Sequence, residues 1–152
     1  MKNLILTILA ALFLFACNNS EKPADQQPQV IAPTKSTYDP NRGIGKFSTV
    51  DLGEKLDKKM AGAGEAISDV KCSSCHKMTE EKLVGPGWKG VTARYTPQWI
   101  MNFITNPDEM LDMDPKAQAQ LEICLVRMPN QNLADAEARQ LLEFMRENDG
   151  VK

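Results

Sequence analysis

The chain has 152 residues, a length that suits one domain and an additional terminal segment. Its 18 basic and 20 acidic side chains nearly cancel, which argues against nucleic acid or an anionic membrane surface as a partner. Apolar residues make up 42%, enough for one modest core, and the recurrence of Ala, Leu, Met, Glu and Lys leans toward helix.

The chain opens with Lys2 and an apolar run from Leu4 to Ala16, broken only by Thr7. Spanning a bilayer takes roughly 20 residues, so this run is too short and reads as a secretory signal peptide over residues 1–16. Its end, Leu14-Phe15-Ala16-Cys17, resembles the lipobox of bacterial lipoproteins, which implies lipidation of Cys17 as the first mature residue. Phe15 is bulkier than that pattern usually carries. Loss of the leader removes Lys2 and takes the formal charge from −2 to −3.

Residues 17–46 read as the lipidated cysteine followed by a flexible tether. Pro23, Pro28, Pro33 and Pro40 punctuate a polar stretch without apolar periodicity. From residue 18 onward such a segment extends to at most about 100 Å, with a mean reach near about 30 Å as a coil.

Residues 47–152 read as the folded domain. Leu52, Leu56, Met60, Ala63, Ile67 and Val70 recur at helical spacing. Gly62 and Gly64 weaken that helix unless they permit close packing. Thr96-Pro97 is a helix start, with Trp99, Ile100, Phe103 and Ile104 following. Asp114-Pro115 repeats the signal ahead of a helix expected over Lys116 to Arg127. A last helix is expected from Asp135 to Asn148, with Leu141, Leu142, Phe144 and Met145 as its stripe and Gly150 as its stop. No alternating strand pattern of useful length is present, so the expected class is all-α.

Cys72-Ser73-Ser74-Cys75-His76 carries the chemistry. C-x-x-C-H is the attachment pattern for c-type haem. Two thiols on one turn each add to a haem vinyl group, and the following imidazole reaches the iron. His76 is the one histidine of the chain. A thioredoxin-like pair would need a βαβ pattern that is missing here. A zinc site would need two more ligands, and Cys124 is the single cysteine left once Cys17 is lipidated. One covalent haem c is therefore the expected cofactor.

Met128-Pro129, a short polar loop and Leu133-Ala134-Asp135-Ala136-Glu137 resemble the methionine-ligand loop and final helix start of class I cytochromes c. Gly85-Pro86-Gly87-Trp88 resembles the segment after the haem motif in that family, and Gly64 and Ile67 its first helix. The resemblance covers about residues 50–148. It implies a helical fold wrapped around one haem, with His76 and Met128 as axial ligands and the Pro86 carbonyl supporting the histidine. Trp88 then either donates to a haem propionate or packs on the ring; Arg94 and Tyr95 have the same alternatives of propionate contact or plain surface and core duty. Met101 reads as core, and Met110 and Met113 lie near helix-starting prolines. Cys124 reads as a small buried hydrophobe. Ser68 stands where the family often has an aromatic residue, and Ala134 where it usually has a serine cap.

The implied function is electron transfer on the periplasmic side of a bacterial membrane, held by a lipid anchor. Implied partners are a quinol-oxidising complex as donor and a terminal oxidase or periplasmic reductase as acceptor. With both axial positions filled, no enzymatic activity is expected. The alternatives are a haem-based ligand-binding or peroxidase-type protein, and a fixed cytochrome subunit of a respiratory complex.

Overall fold

The computed structural model describes residues 38–152. The expected leader, Cys17 and the tether as far as residue 37 lie outside the described residues. Among the described residues six helices follow one another: α1 Lys58–Lys71, α2 Val91–Arg94, α3 Pro97–Thr105, α4 Pro107–Met113, α5 Pro115–Cys124 and α6 Asp135–Asn148. Among the described residues there is no strand, only an isolated bridge between His76 and Lys82.

Local chemistry sets the helix ends. The Asp57 carboxylate accepts from Met60 N at 2.9 Å and starts α1 several residues later than the apolar spacing from Leu52 suggests. Helices α3, α4 and α5 each begin with proline, after Thr96, Asn106 and Asp114. Proline's fixed φ suits a first turn, where its missing N–H has no intrahelical partner to lose. The second of these breaks, at Asn106-Pro107, makes a separate short helix of 107–113. Helix α5 stops at Cys124, three residues before the expected end, because Leu125 turns left-handed at φ 62°. Helix α6 has the expected bounds. Ala134 cannot cap it with a side chain, and Glu137 instead reaches back to accept from Ala134 N at 2.9 Å. Asp149, just past α6, accepts from Gly90 N, Thr92 N and Thr92 Oγ1 and so caps α2.

Helices α1 and α6 cross face to face. Gly64 sits at the crossing: a Cβ there would fall 2.1 Å from Gln140 O. Ala61 and Ser68 line the α1 side, and Ala138, Leu141, Leu142 and Met145 are the buried stripe of α6. Full burial of each large apolar side chain contributes about 1.5–3 kcal/mol. Beneath α6 a buried ionic cluster ties in the segment before α1. Glu143, fully buried, accepts from Asp57 N at 2.9 Å and Arg146 Nη1 at 2.7 Å, and pairs with Arg139. Arg146 also donates to Gly53 O.

Residues 38–46, which the proline-rich composition marks as tether, lie against α3, α4 and α5. Asn102, fully buried, donates to Arg42 O and Phe47 O and accepts from Phe47 N. Ile44 N meets Met110 Sδ at 3.0 Å, Lys116 Nζ donates to Pro40 O, and Tyr38 OH donates to Asp114 at 2.6 Å. Gly43, at φ 67°, fits where a Cβ would come within 2.7 Å of Met110 Cε. The strap is held by polar side chains inside the helices, so a search for apolar periodicity does not detect it.

Candidate functional site

The C-x-x-C-H turn follows directly from α1. Cys75 N and His76 N both donate to Cys72 O at 3.0 Å, which winds the two cysteines and the imidazole onto one turn. Val84 N and Gly85 N donate back to Cys75 O, folding the following loop under the turn. That loop carries Pro86, whose carbonyl oxygen lies 2.8 Å from His76 Nδ1. A carbonyl only accepts, so Nδ1 carries the hydrogen and Nε2 keeps its lone pair. Burial holds the imidazole pKa below its usual value, with the Pro86 contact opposing, so the ring is neutral and fit to ligate a metal. Gly85 packs closely against the ring, leaving no room for a Cβ.

Beside His76 opens a cleft of about 970 Å³, its mouth included. Its walls are mainly apolar: Val91, Trp99, Ile100, Ile104, Leu111 and Met145 supply much of them. Cys75 and His76 stand on one side of it, and Cys124, Met128 and Pro129 also border it. Cys72 is buried at the end of α1, and burial pushes its thiol up to about 11, with Lys71 partly opposing. Among the described residues neither Cys72 nor Cys75 is in a disulfide. Two thiols, a tautomer-fixed imidazole and a large apolar cleft fit a planar macrocycle with a central metal.

The remaining sequence candidates fall as follows. Trp88 is buried, 5.6 Å from the His76 ring and edge-on to Phe144 at 6.3 Å. Arg94 borders the cleft and donates to Lys89 O and Gly87 O, which steadies the Pro86 loop. Tyr95 stacks on Trp99 at 4.1 Å, and Trp99 on Phe103 at 5.1 Å. Met101 and Met110 are core, and Met113 is exposed. Met145 borders the same cleft as Met128, but from the buried stripe of α6. Cys124 is half-buried rather than enclosed.

Three features escaped the sequence reading. Arg127 donates to Asp112 at 2.9 Å and to Asp108 O, pinning the residue before Met128 to α4. Lys82 Nζ donates to Ile123 O at 2.9 Å and joins the loop after the haem motif to the end of α5. Asp114, read only as a helix cap, is fully buried and also binds Tyr38 and Trp99. Each of these contacts is long-range or serves a second role, and no local pattern announces it.

Fold and cleft together define a small helical domain built to enclose one haem. A sequence model described as cytochrome c matches residues 61–149. The chain resembles a cytochrome c from Rhodothermus marinus at 32% identity and TM-score 0.70, covering 73% of this chain and 97% of that one. An engineered form of that cytochrome, bound to a carbene intermediate, is similar at 32% identity and TM-score 0.67, over 73% and 98% of the two chains. A cytochrome c domain of a Pseudomonas putida protein is 33% identical at TM-score 0.50, over 55% and 85%. Curated protein sequences gave no match. The chain belongs to the cytochrome c family. It is a haem c protein with a single covalently held haem, and the family's work is electron transfer.

Proposed function

We propose that this protein is a membrane-tethered carrier of single electrons between components of a respiratory chain. Cys72 and Cys75 hold the haem through thioether bonds, and His76 and Met128 ligate its iron. Cys17 carries the lipid, and the residues between it and the strap at Tyr38 form the tether. Donor and acceptor are a quinol-oxidising complex and a terminal oxidase or periplasmic reductase, reached on the periplasmic side of the membrane. Among the described residues no helix is long and apolar enough to cross a membrane.

The observation that carries the reading is the His76 Nδ1–Pro86 O contact at 2.8 Å, with Met128 bordering the same cleft. The haem supplies the one-electron couple of its iron. The chain supplies fixed ligands and a dry surround. Pro86 holds the imidazole in one tautomer, which also raises its basicity as a ligand. Arg127 anchors the Met128 loop to α4, so the thioether has little freedom to leave. A thioether ligand favours the reduced state relative to a second imidazole. With His76 and Met128 both holding the iron, no position would be left for a substrate, and the haem would serve outer-sphere electron transfer. Leu83, Val84, Ile123, Leu125 and Val126 are exposed around the segments that Lys82 joins. They form an apolar collar at which a partner's cofactor edge can approach.

A second reading, chemistry at the iron, draws on the engineered relative that holds a carbene intermediate. Absorption spectra of both oxidation states separate the two. A ferric charge-transfer band of methionine ligation, lost in Met128→Ala and kept in Met145→Leu, supports the carrier. Rapid, tight carbon monoxide binding by the unmodified reduced protein supports the second reading instead. For the anchor, Cys17→Ser should move the protein from the membrane to the soluble fraction. Co-purification with a membrane complex at high salt would make it a fixed subunit rather than a shuttle.

A further inference from the structure

Asp114 is fully buried, yet among the described residues it forms no ion pair. Its carboxylate is instead surrounded by donors. Oδ1 accepts from Ala117 N at 2.9 Å. Oδ2 accepts from Trp99 Nε1 at 3.1 Å and from Tyr38 OH at 2.6 Å. An indole N–H and a backbone N–H can only donate, so each carboxylate oxygen accepts at least one hydrogen bond. Helix capping explains one of the three bonds. The other two join the cap to the cleft wall and to the strap, 76 residues away in sequence.

Trp99 is the connecting element. Its ring borders the cleft, stacked with Tyr95 and Phe103, and its N–H donates to Asp114. The Asp114 carboxylate therefore sits one indole away from the cleft. Water is excluded there, so neither solvent nor salt screens the charge well. A buried anion near a metal centre stabilises the more positive, oxidised state.

We propose that Asp114 is a positioning residue that sets the redox balance of the haem through the Trp99 indole, and that Tyr38 moderates it from the strap. The Tyr38 hydroxyl draws charge off Oδ2, so the strap weakens the field that Asp114 casts on the cleft. The end of the chain that leads to the proposed lipid anchor is thereby tied to the redox centre. This inference rests on the haem occupying the Trp99-lined cleft.

The test is a spectroelectrochemical titration of the full-chain holoprotein, with attached haem counted separately by mass. At a fixed solution potential, Asp114→Asn should raise the ferrous-to-ferric ratio by about fivefold or more, and the rise should persist at high salt. Tyr38→Phe should move the ratio the opposite way and by less. Glu122→Gln, which removes an exposed charge from the same helix, should stay within about twofold. A ratio in Asp114→Asn within twofold of the unmodified protein, with its spectrum intact, overturns the proposal. So does a Tyr38→Phe shift in the same direction as Asp114→Asn, which would mark a packing effect. Should Asp114→Asn fail to retain haem, Tyr38→Phe decides alone: a fall in the ratio supports the proposal, and no change or a rise overturns it. A protein whose mass lacks the porphyrin would instead overturn the haem assignment itself.

Discussion

Gly85 lies so close to the His76 imidazole that a Cβ on it would stand 2.4 Å from Cε1 and 2.8 Å from Nδ1. Real carbons do not approach so closely, and the ring is the part that must move. Movement there breaks the Nδ1–Pro86 bond that fixes the tautomer. Gly85→Ala is therefore expected to keep its thioether-linked haem but lose firm axial ligation. Overpacking of this kind costs about 1–3 kcal/mol. The ferric spectrum should gain high-spin character, and the melting temperature should fall. An unchanged spectrum in Gly85→Ala would mean that the glycine serves only the turn.

The α1–α6 crossing makes two opposite predictions four residues apart. At Gly64 the obstacle is backbone, Gln140 O at 2.1 Å and Gln140 C at 2.6 Å, which cannot swing aside. Gly64→Val should cost about 3 kcal/mol or more by denaturant unfolding. At Ser68 the hydroxyl is buried with no hydrogen-bond partner among the described residues. Removing an unsatisfied buried hydroxyl should stabilise, so Ser68→Ala is expected to gain about 1 kcal/mol. Equal and small effects at both sites would show that the two helices slide past each other.

These two positions also mark what the sequence can and cannot reveal. Gly64 is legible as a close-packing site because a glycine inside a helical pattern asks for a reason. Ser68 stands out only against the family's usual aromatic, and nothing in the pattern says that its hydroxyl lacks a partner. The same division runs through the chain. The haem turn, Thr96-Pro97, Asp114-Pro115 and the final helix are legible because each is written in adjacent residues. The strap is not, because Asn102 and Asp114 hold it from within α3 and at the start of α5, and composition at 38–46 resembles a linker. The early end of α5 is not legible either. Leucine rarely adopts φ 62°, and local preference would carry the helix on to Arg127.

Glu143 gives the stability a definite dependence on pH. Burial pushes its carboxyl upward, but the donors Asp57 N, Arg139 and Arg146 outweigh burial and hold it below the usual value of 4.5. A depressed folded-state value means that the unfolded chain binds the proton first as pH falls. The contribution is thus complete well above 4.5 and is lost as pH drops through the lower, folded value. At neutral pH, Glu143→Gln should cost about 3 kcal/mol, because it leaves two arginines facing a neutral amide. As the pH falls below 4.5 the denaturant midpoints of the variant and the unmodified protein should draw progressively together. A difference that stays constant down to pH 3 would count against the ion cluster as its source.

Leu125 combines two costs in one residue. It is left-handed at φ 62°, which disfavours any side chain by about 1–2 kcal/mol, and it is 82% exposed, so its apolar surface gains nothing from the core. Glycine is the usual solution at a helix end of this shape. Leu125→Gly is therefore expected to stabilise the protein by about 1 kcal/mol. The leucine makes sense if the collar is a contact surface. Near it Lys82 is bound to Ile123 O and Arg127 is paired with Asp112, while Glu122 stays exposed. Contact at the collar should then depend on apolar area and little on salt. Electron self-exchange between ferric and ferrous protein, read by NMR line broadening, measures this without a second partner. Leu125→Gly should slow exchange several-fold while raising the melting temperature, and Leu125→Asp should slow it further, by about tenfold. Exchange that ignores both substitutions but falls steeply with salt would place the contact elsewhere, on charged surface.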